Sequence, residues 1–116
     1  MKIKAFWSIL LALVLTFSLA AAEGVDQLAR IQAQGEIVIA TEGAWAPWTY
    51  HDENDVLVGF DVEVAQAIAA KLGVTAKFVE TEWDGIFAGL DSSRYDMAAN
   101  GVEITEERAQ KYDFST

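Results

Sequence analysis

An α/β fold with a mostly parallel sheet flanked by helices is predicted for this chain by three observations. Short apolar runs rich in β-branched residues alternate with stretches at helical spacing, the pattern of βαβ units with right-handed crossovers. The run "EIVIAT" (36–41) is apolar almost throughout rather than at alternate positions, as a strand covered on both faces must be. Gly35 and Gly73 stand where a helix should stop.

Each element follows in order. "GVDQLARIQAQGE" (24–36) puts Val25, Leu28, Ala29 and Ile31 on one side of a short helix capped by Gly35. "EIVIAT" is the first strand and hands over to "TEGAWAPWTY" (41–50), where two tryptophans flank the single proline. A polar turn at 51–55 between two extended pieces predicts a hairpin-like connection over 50–60. "DVEVAQAIAAKLG" (61–73) reads as a helix with Asp61 as N-cap, a stripe of Phe60, Val64, Ala65, Ile68, Ala69 and Leu72, and Gly73 as its end. "VTAKFVE" (74–80) alternates as a strand, with Val74, Ala76 and Phe78 on one face. "WDGIFAGLDSS" (83–93) is a helix facing inward through Ile86, Phe87 and Leu90, and "YDMAAN" (95–100) is a short third strand. "TEERAQKY" (105–112) opens a last helix with Thr105 as N-cap. No repeat, low-complexity tract or Pro/Gly/Ser linker interrupts this single lobe.

The N-terminus has a separate logic. Lys2 and Lys4, an apolar stretch from Ile9 to Leu19 and the small residues Ala20, Ala21 and Ala22 form a cleavable export signal over residues 1–22, which leaves a lobe over 23–116. A membrane anchor would need about 20 consecutive apolar residues, and Ser8, Thr16 and Ser18 break this stretch. Eight basic against 18 acidic residues give a net charge of −10, and loss of Lys2 and Lys4 takes it to −12. Nucleic acid and anionic membranes are therefore poor partners. With no cysteine there is no disulfide, no thiolate metal site and no lipid-attachment residue. A soluble, monomeric protein of the bacterial periplasm fits this reading.

In an open parallel sheet, ligands bind beyond the carboxyl ends of the strands. Three loops are predicted there: 42–48, 81–84 and 99–104. Trp45, Trp48 and Trp83, all the tryptophans beyond Trp7, fall in the first two. Each is either core or a wall for the aliphatic part or ammonium group of a small zwitterion. Just after the third loop, Arg108 occupies the third position of a helix, where the dipole disfavours a cation by roughly 0.3–1 kcal/mol. It is either paired with Glu106, Glu107 or a neighbour, or its planar fork clamps a ligand carboxylate beside the N–H groups of the helix terminus. Gly101 would let a ligand ammonium approach a bare backbone carbonyl. Glu42 and Glu103 stand at the same rim, as solvated acids or as partners for a cationic or donor-rich ligand group. Catalytic groupings are thin. His51, the single histidine, lies in a polar turn; Ser92 and Ser93 have no histidine partner in sequence; there is no phosphate loop and no metal-ligand spacing, so neither cofactor nor metal is expected.

Together "EIVIATEGAWAPW", "VLVGFDVEVAQAIAAKLGV" and "FVETEWDGIFAGLDSSRYDMAANGVEITEERAQKYDFS" resemble the family 3 extracellular solute-binding proteins, the periplasmic amino-acid receptors of ABC importers. The most specific marks are Gly59-Phe60-Asp61, Trp83-Asp84-Gly85 and "ITEER" followed by "YDFS". The resemblance implies a lobe like those of type II periplasmic binding proteins, with Trp45 and Trp83 as aromatic walls and Glu42 reading the ligand side chain. It also implies that the Gly101 carbonyl meets the ligand amino group, that Arg108 binds its α-carboxylate, and that a membrane permease is the partner. Glu103 stands where Ser or Thr is common, so that a charged acceptor replaces a hydroxyl or pairs with Arg108. It further implies a two-lobed protein, of which this chain would be the first lobe, ending near the first hinge with the second lobe absent; such a lobe alone is expected to bind amino acids weakly or not at all. Dehydratases of cyclohexadienyl carboxylates resemble the same family, and an enzyme here would need Glu42 or Glu103 as general acid. A sensor domain feeding a membrane kinase is the third reading. Binding is favoured, because groups suited to holding a zwitterion are present and a base–acid pair is not evident.

Overall fold

The computed structural model describes residues 26–115; the predicted export signal, and Val25 of the first helix, lie outside the described residues. The chain divides between Arg30 and Ile31 into two units, and both sheets, the core and the candidate site lie in the second. The elements are α1 (Gln27–Gln34), β1 (Glu36–Thr41), β2 (Ala44–Trp45), β3 (Thr49–His51), β4 (Leu57–Val58), α2 (Phe60–Leu72), β5 (Thr75–Glu80), α3 (Trp83–Asp91), β6 (Met97–Ala98) and α4 (Glu106–Ala109). The main sheet is parallel with order β5-β1-β6, as the strand–helix alternation predicts, and β2-β3-β4 form a small antiparallel sheet.

β1 is central, and its unbroken apolar run follows from that position. Successive side chains point to opposite faces of a strand. Ile37 and Ile39 join Ile31 of α1 and Ala65 and Ala69 of α2 in one cluster, with Ala76 and Phe78 of β5 packed against it. Val38 and Ala40 face the other way, toward Ile86 and Leu90 of α3 and the buried Tyr95. Both faces of the sheet are therefore covered, and the interior of β1 from Ile37 to Ala40 is apolar throughout.

The termini of elements differ from the sequence reading in ways with physical causes. Asp61 does not cap α2. Gly59 does, at φ 131°, and the first two N–H groups of the helix are taken by carbonyls of the aromatic loop, Phe60 N to Pro47 O at 3.1 Å and Asp61 N to Trp48 O at 3.0 Å. A Cβ at Gly59 would lie 2.3 Å from the Trp48 carbonyl oxygen, so only glycine permits this approach. The buried stripe of α2 is Val62, Ala65 and Ala69, whereas Phe60 and Val64, predicted inward, are exposed. β6 is confined to two residues because side chains replace backbone at both of its ends. Asp96 Oδ2 accepts from Val38 N at 2.9 Å, and Asn100 Oδ1 accepts from Glu42 N at 2.8 Å. The predicted helix over 105–112 shortens to α4, a single turn capped by Thr105, whose side chain accepts from Arg108 N.

Candidate functional site

Beyond the carboxyl end of β1 the chain does not form an open loop. It folds back as a tight hairpin in which Ala44 pairs with Tyr50 and Trp45 with Thr49. This hairpin was not legible as strands, yet it fixes the aromatic segment. Trp45 and Trp48 contact each other with ring centroids 6.2 Å apart, and Trp48 meets Phe60 edge-on at 5.9 Å. The contact with Phe60 and the carbonyls that cap α2 tie the segment to that helix, yet both tryptophans stay exposed, Trp45 at 45% and Trp48 at 39%.

Two groups of the predicted residues come together. The first joins Glu42, Trp45 and Gly101. Gly101 has φ +57°, and a Cβ there would lie 2.6 Å from Trp45 Cζ3, so the indole lies directly against a backbone that only glycine can supply. The Gly101 N–H donates to Asp61 Oδ2 at 2.5 Å, which ties this loop to the first turn of α2. Glu42 Oε2 accepts from Asn100 Nδ2 at 2.7 Å. The second group joins Trp83, Glu103 and Arg108. The guanidinium carbon of Arg108 lies 5.3 Å from the ring centroids of both Trp83 and Phe87, and Nη1 donates to the backbone carbonyl of Glu103 at 3.0 Å. Residues 101–103 are the covalent bridge between the groups.

The charges sort themselves. Trp83, Phe87, Glu107, Arg108, Lys111 and Tyr112 line an open cavity of about 310 Å³. Within it Lys111 Nζ is 2.6 Å from Asp91 Oδ2, and Tyr112 donates to Asp91 Oδ1 at 2.7 Å, which holds the Asp91 carboxyl below its ordinary 3.8. Lys111 is thereby paired, and the Asp91 bond raises its pKa. Arg108 forms no ion pair among the described residues; Glu106 and Glu107 do not hold it, and Glu103 meets it through a backbone oxygen. A half-buried guanidinium packed against the edge-on pair Trp83 and Phe87, whose centroids are 5.0 Å apart, with Nη2 and Nε uncommitted in these contacts, is suited to bidentate binding of a carboxylate.

Sequence reasoning missed the buried polar residues beneath the site. Thr41, Thr49 and Asn100 are each at most 1% exposed and bonded to one another or to their neighbours. A threonine pair eight residues apart and an asparagine at a strand end carry no motif. The one available signal was a run of polar residues where an apolar strand ends. His51 lies between Glu80 and Asp55 and makes no hydrogen bond to this network in these contacts. No group of three or more metal-ligating side chains occurs among the described residues.

A parallel three-stranded sheet with helices on both faces places the lobe in the type II periplasmic binding fold. Residues 37–116 match the bacterial extracellular solute-binding proteins, family 3, and the chain belongs to that family. It is 48% identical over 91 residues to the L-cystine-binding protein TcyA of Bacillus subtilis, covering 78% of this chain and 34% of that protein. It is 36% identical over 105 residues to the cyclohexadienyl dehydratase of Pseudomonas aeruginosa, covering 90% of this chain and 38% of the enzyme. Among solved structures, the arginine-bound form of domain 1 from TmArgBP superposes with a TM-score of 0.69 at 34% identity, covering 75% of this chain and 67% of that one. The chain spans about a third of the length of the curated relatives it matches.

Proposed function

We propose that this lobe is the amino-acid-reading half of a periplasmic receptor that captures a polar or basic amino acid and passes it to an ABC-type permease. The observation that carries the proposal is Arg108, a half-buried cation without a carboxylate among the described residues, packed against Trp83 and Phe87. It takes the ligand α-carboxylate. The Gly101 carbonyl takes the ammonium, Trp45 and Trp83 wall the ligand, and Glu42 and Glu103 bias the pocket toward cationic or donor-rich side chains. Export by a cleaved signal over 1–22 and action as a monomer belong to the same proposal; no helix of the described residues is long and apolar enough to cross a membrane. The relative crystallised as an arginine-bound single domain supports ligand binding by one lobe. We infer that this lobe also binds alone, and weakly.

Calorimetric titration of the purified chain with an amino-acid panel tests this. Binding weaker than micromolar is expected; in the intact two-lobed protein Arg108→Ala should cost on the order of 2–5 kcal/mol, the penalty for removing one partner of a desolvated charge pair. A loss below about 0.5 kcal/mol would leave Arg108 only a surface role, and micromolar or tighter binding would contradict the weak-lobe reading.

The dehydratase relative gives an enzymatic reading its one support. Such chemistry needs a proton donor beside the ligand. Glu42 Oε2 already accepts from Asn100, and Glu103 is exposed, with no base paired to either among the described contacts. Release of product from a cyclohexadienyl carboxylate, lost in Glu42→Gln or Glu103→Gln, would favour catalysis over binding.

A further inference from the structure

We infer that Asn100 is the positioning residue that sets the charge preference of the site, by holding the Glu42 carboxylate in a single orientation. The inference rests on the reading of Glu42 as the acid that meets the ligand side chain. Asn100 is 1% exposed, and its amide cannot be turned over. Its Oδ1 accepts from the backbone N–H of Glu42 at 2.8 Å and from Thr41 Oγ1 at 3.1 Å, so the NH2 must point the other way, onto Glu42 Oε2 at 2.7 Å.

The network also has a direction. Gly43 N donates to Thr49 Oγ1 at 3.1 Å. Because Thr41 spends its one proton on Asn100 Oδ1, an acceptor only, the 2.6 Å contact between the hydroxyls must run from Thr49 to Thr41. Donation therefore passes from Gly43 through Thr49, Thr41 and Asn100 to the Glu42 carboxylate, each bond polarising the next. Oε2 is committed as an acceptor at the end of this chain, and Oε1 is the oxygen presented to a ligand. Among the described residues no buried side-chain polar atom lacks a partner, so an alternative arrangement would have to break a satisfied bond.

The experiment compares L-arginine with L-citrulline, its neutral near-isostere, by calorimetric titration of the purified chain. The wild type should prefer arginine, and Glu42→Gln should abolish the preference. If the wild type shows no preference, or Glu42→Gln leaves it intact, the reading of Glu42 fails and this inference with it. Given that preference, Asn100→Ala should reduce it by roughly tenfold, the value of one hydrogen bond to a charged group. Asn100→Ser, which retains a donor, should recover part of it and serves where the alanine variant does not fold. Thr49→Val perturbs the same buried network but leaves the Asn100–Glu42 bond in place, and should keep most of the preference. Equal loss in Thr49→Val and Asn100→Ala would reduce Asn100 to a structural role, and full preference in both Asn100 variants would overturn its role altogether.

Discussion

His51 shows what a residue can do apart from the ligand. Its Nε2 is 2.6 Å from Glu80 Oε1, and its Nδ1 contacts Asp55 through the carbonyl at 3.2 Å and the carboxylate at 3.0 Å. The Glu80 bond, and after it the Asp55 carbonyl, raises the imidazole pKa above its ordinary 6.5. The sign follows: stabilisation from the protonated pair is fully present below 6.5 and is lost as pH rises through the higher folded value. A proton-NMR titration of the single histidine should give a midpoint above 6.5, and Glu80→Gln should move it down. An unchanged midpoint would remove Glu80 as the cause. The sequence placed His51 in a polar turn without a catalytic role, but its partner Glu80 lies 29 residues away and could not be named from spacing.

At the scale of elements, Gly59-Phe60-Asp61 turns out to be a brace between two loops. The Phe60 and Asp61 N–H groups hold the aromatic hairpin through Pro47 and Trp48, and the Asp61 carboxylate holds the Gly101 N–H. Asp61→Ala should weaken amino-acid binding by about 1–3 kcal/mol by freeing the Gly101 loop, while Asp61→Asn, which still offers an acceptor, should recover much of it. Calorimetry on both variants checks this, and equal binding in the two would contradict the brace. The helices and long strands were legible because hydrophobic period and glycine stops are local signals. Here the periodic reading of α2 went astray at Phe60 and Val64, since the first turn is shared with a distant loop rather than with the core. The two-residue strands β2 and β6 were hidden or overextended for the same reason, their limits being set by side chains and partners far away in sequence.

For the molecule as a whole, β1 makes the site possible. The chain leaves β1 toward β5 on one side and returns to β6 on the other, so the segments after β1 and β6 emerge side by side, the topological switch where open α/β sheets hold ligands. The strand–helix alternation predicted loops at the strand ends, and Glu42, Trp45, Trp83, Gly101, Glu103 and Arg108 were named in and beside those loops as candidates. The polar floor of Thr41, Thr49 and Asn100 was not, because its meaning lies in which buried donors and acceptors meet. The central claim is that Arg108 binds an α-carboxylate, and the most direct measurement compares L-arginine with agmatine, its decarboxylated counterpart, on wild type and Arg108→Ala. The account predicts that the wild type binds arginine more tightly than agmatine, and that Arg108→Ala erases the difference. Equal binding of the two ligands by the wild type, or a difference that survives Arg108→Ala, would contradict it.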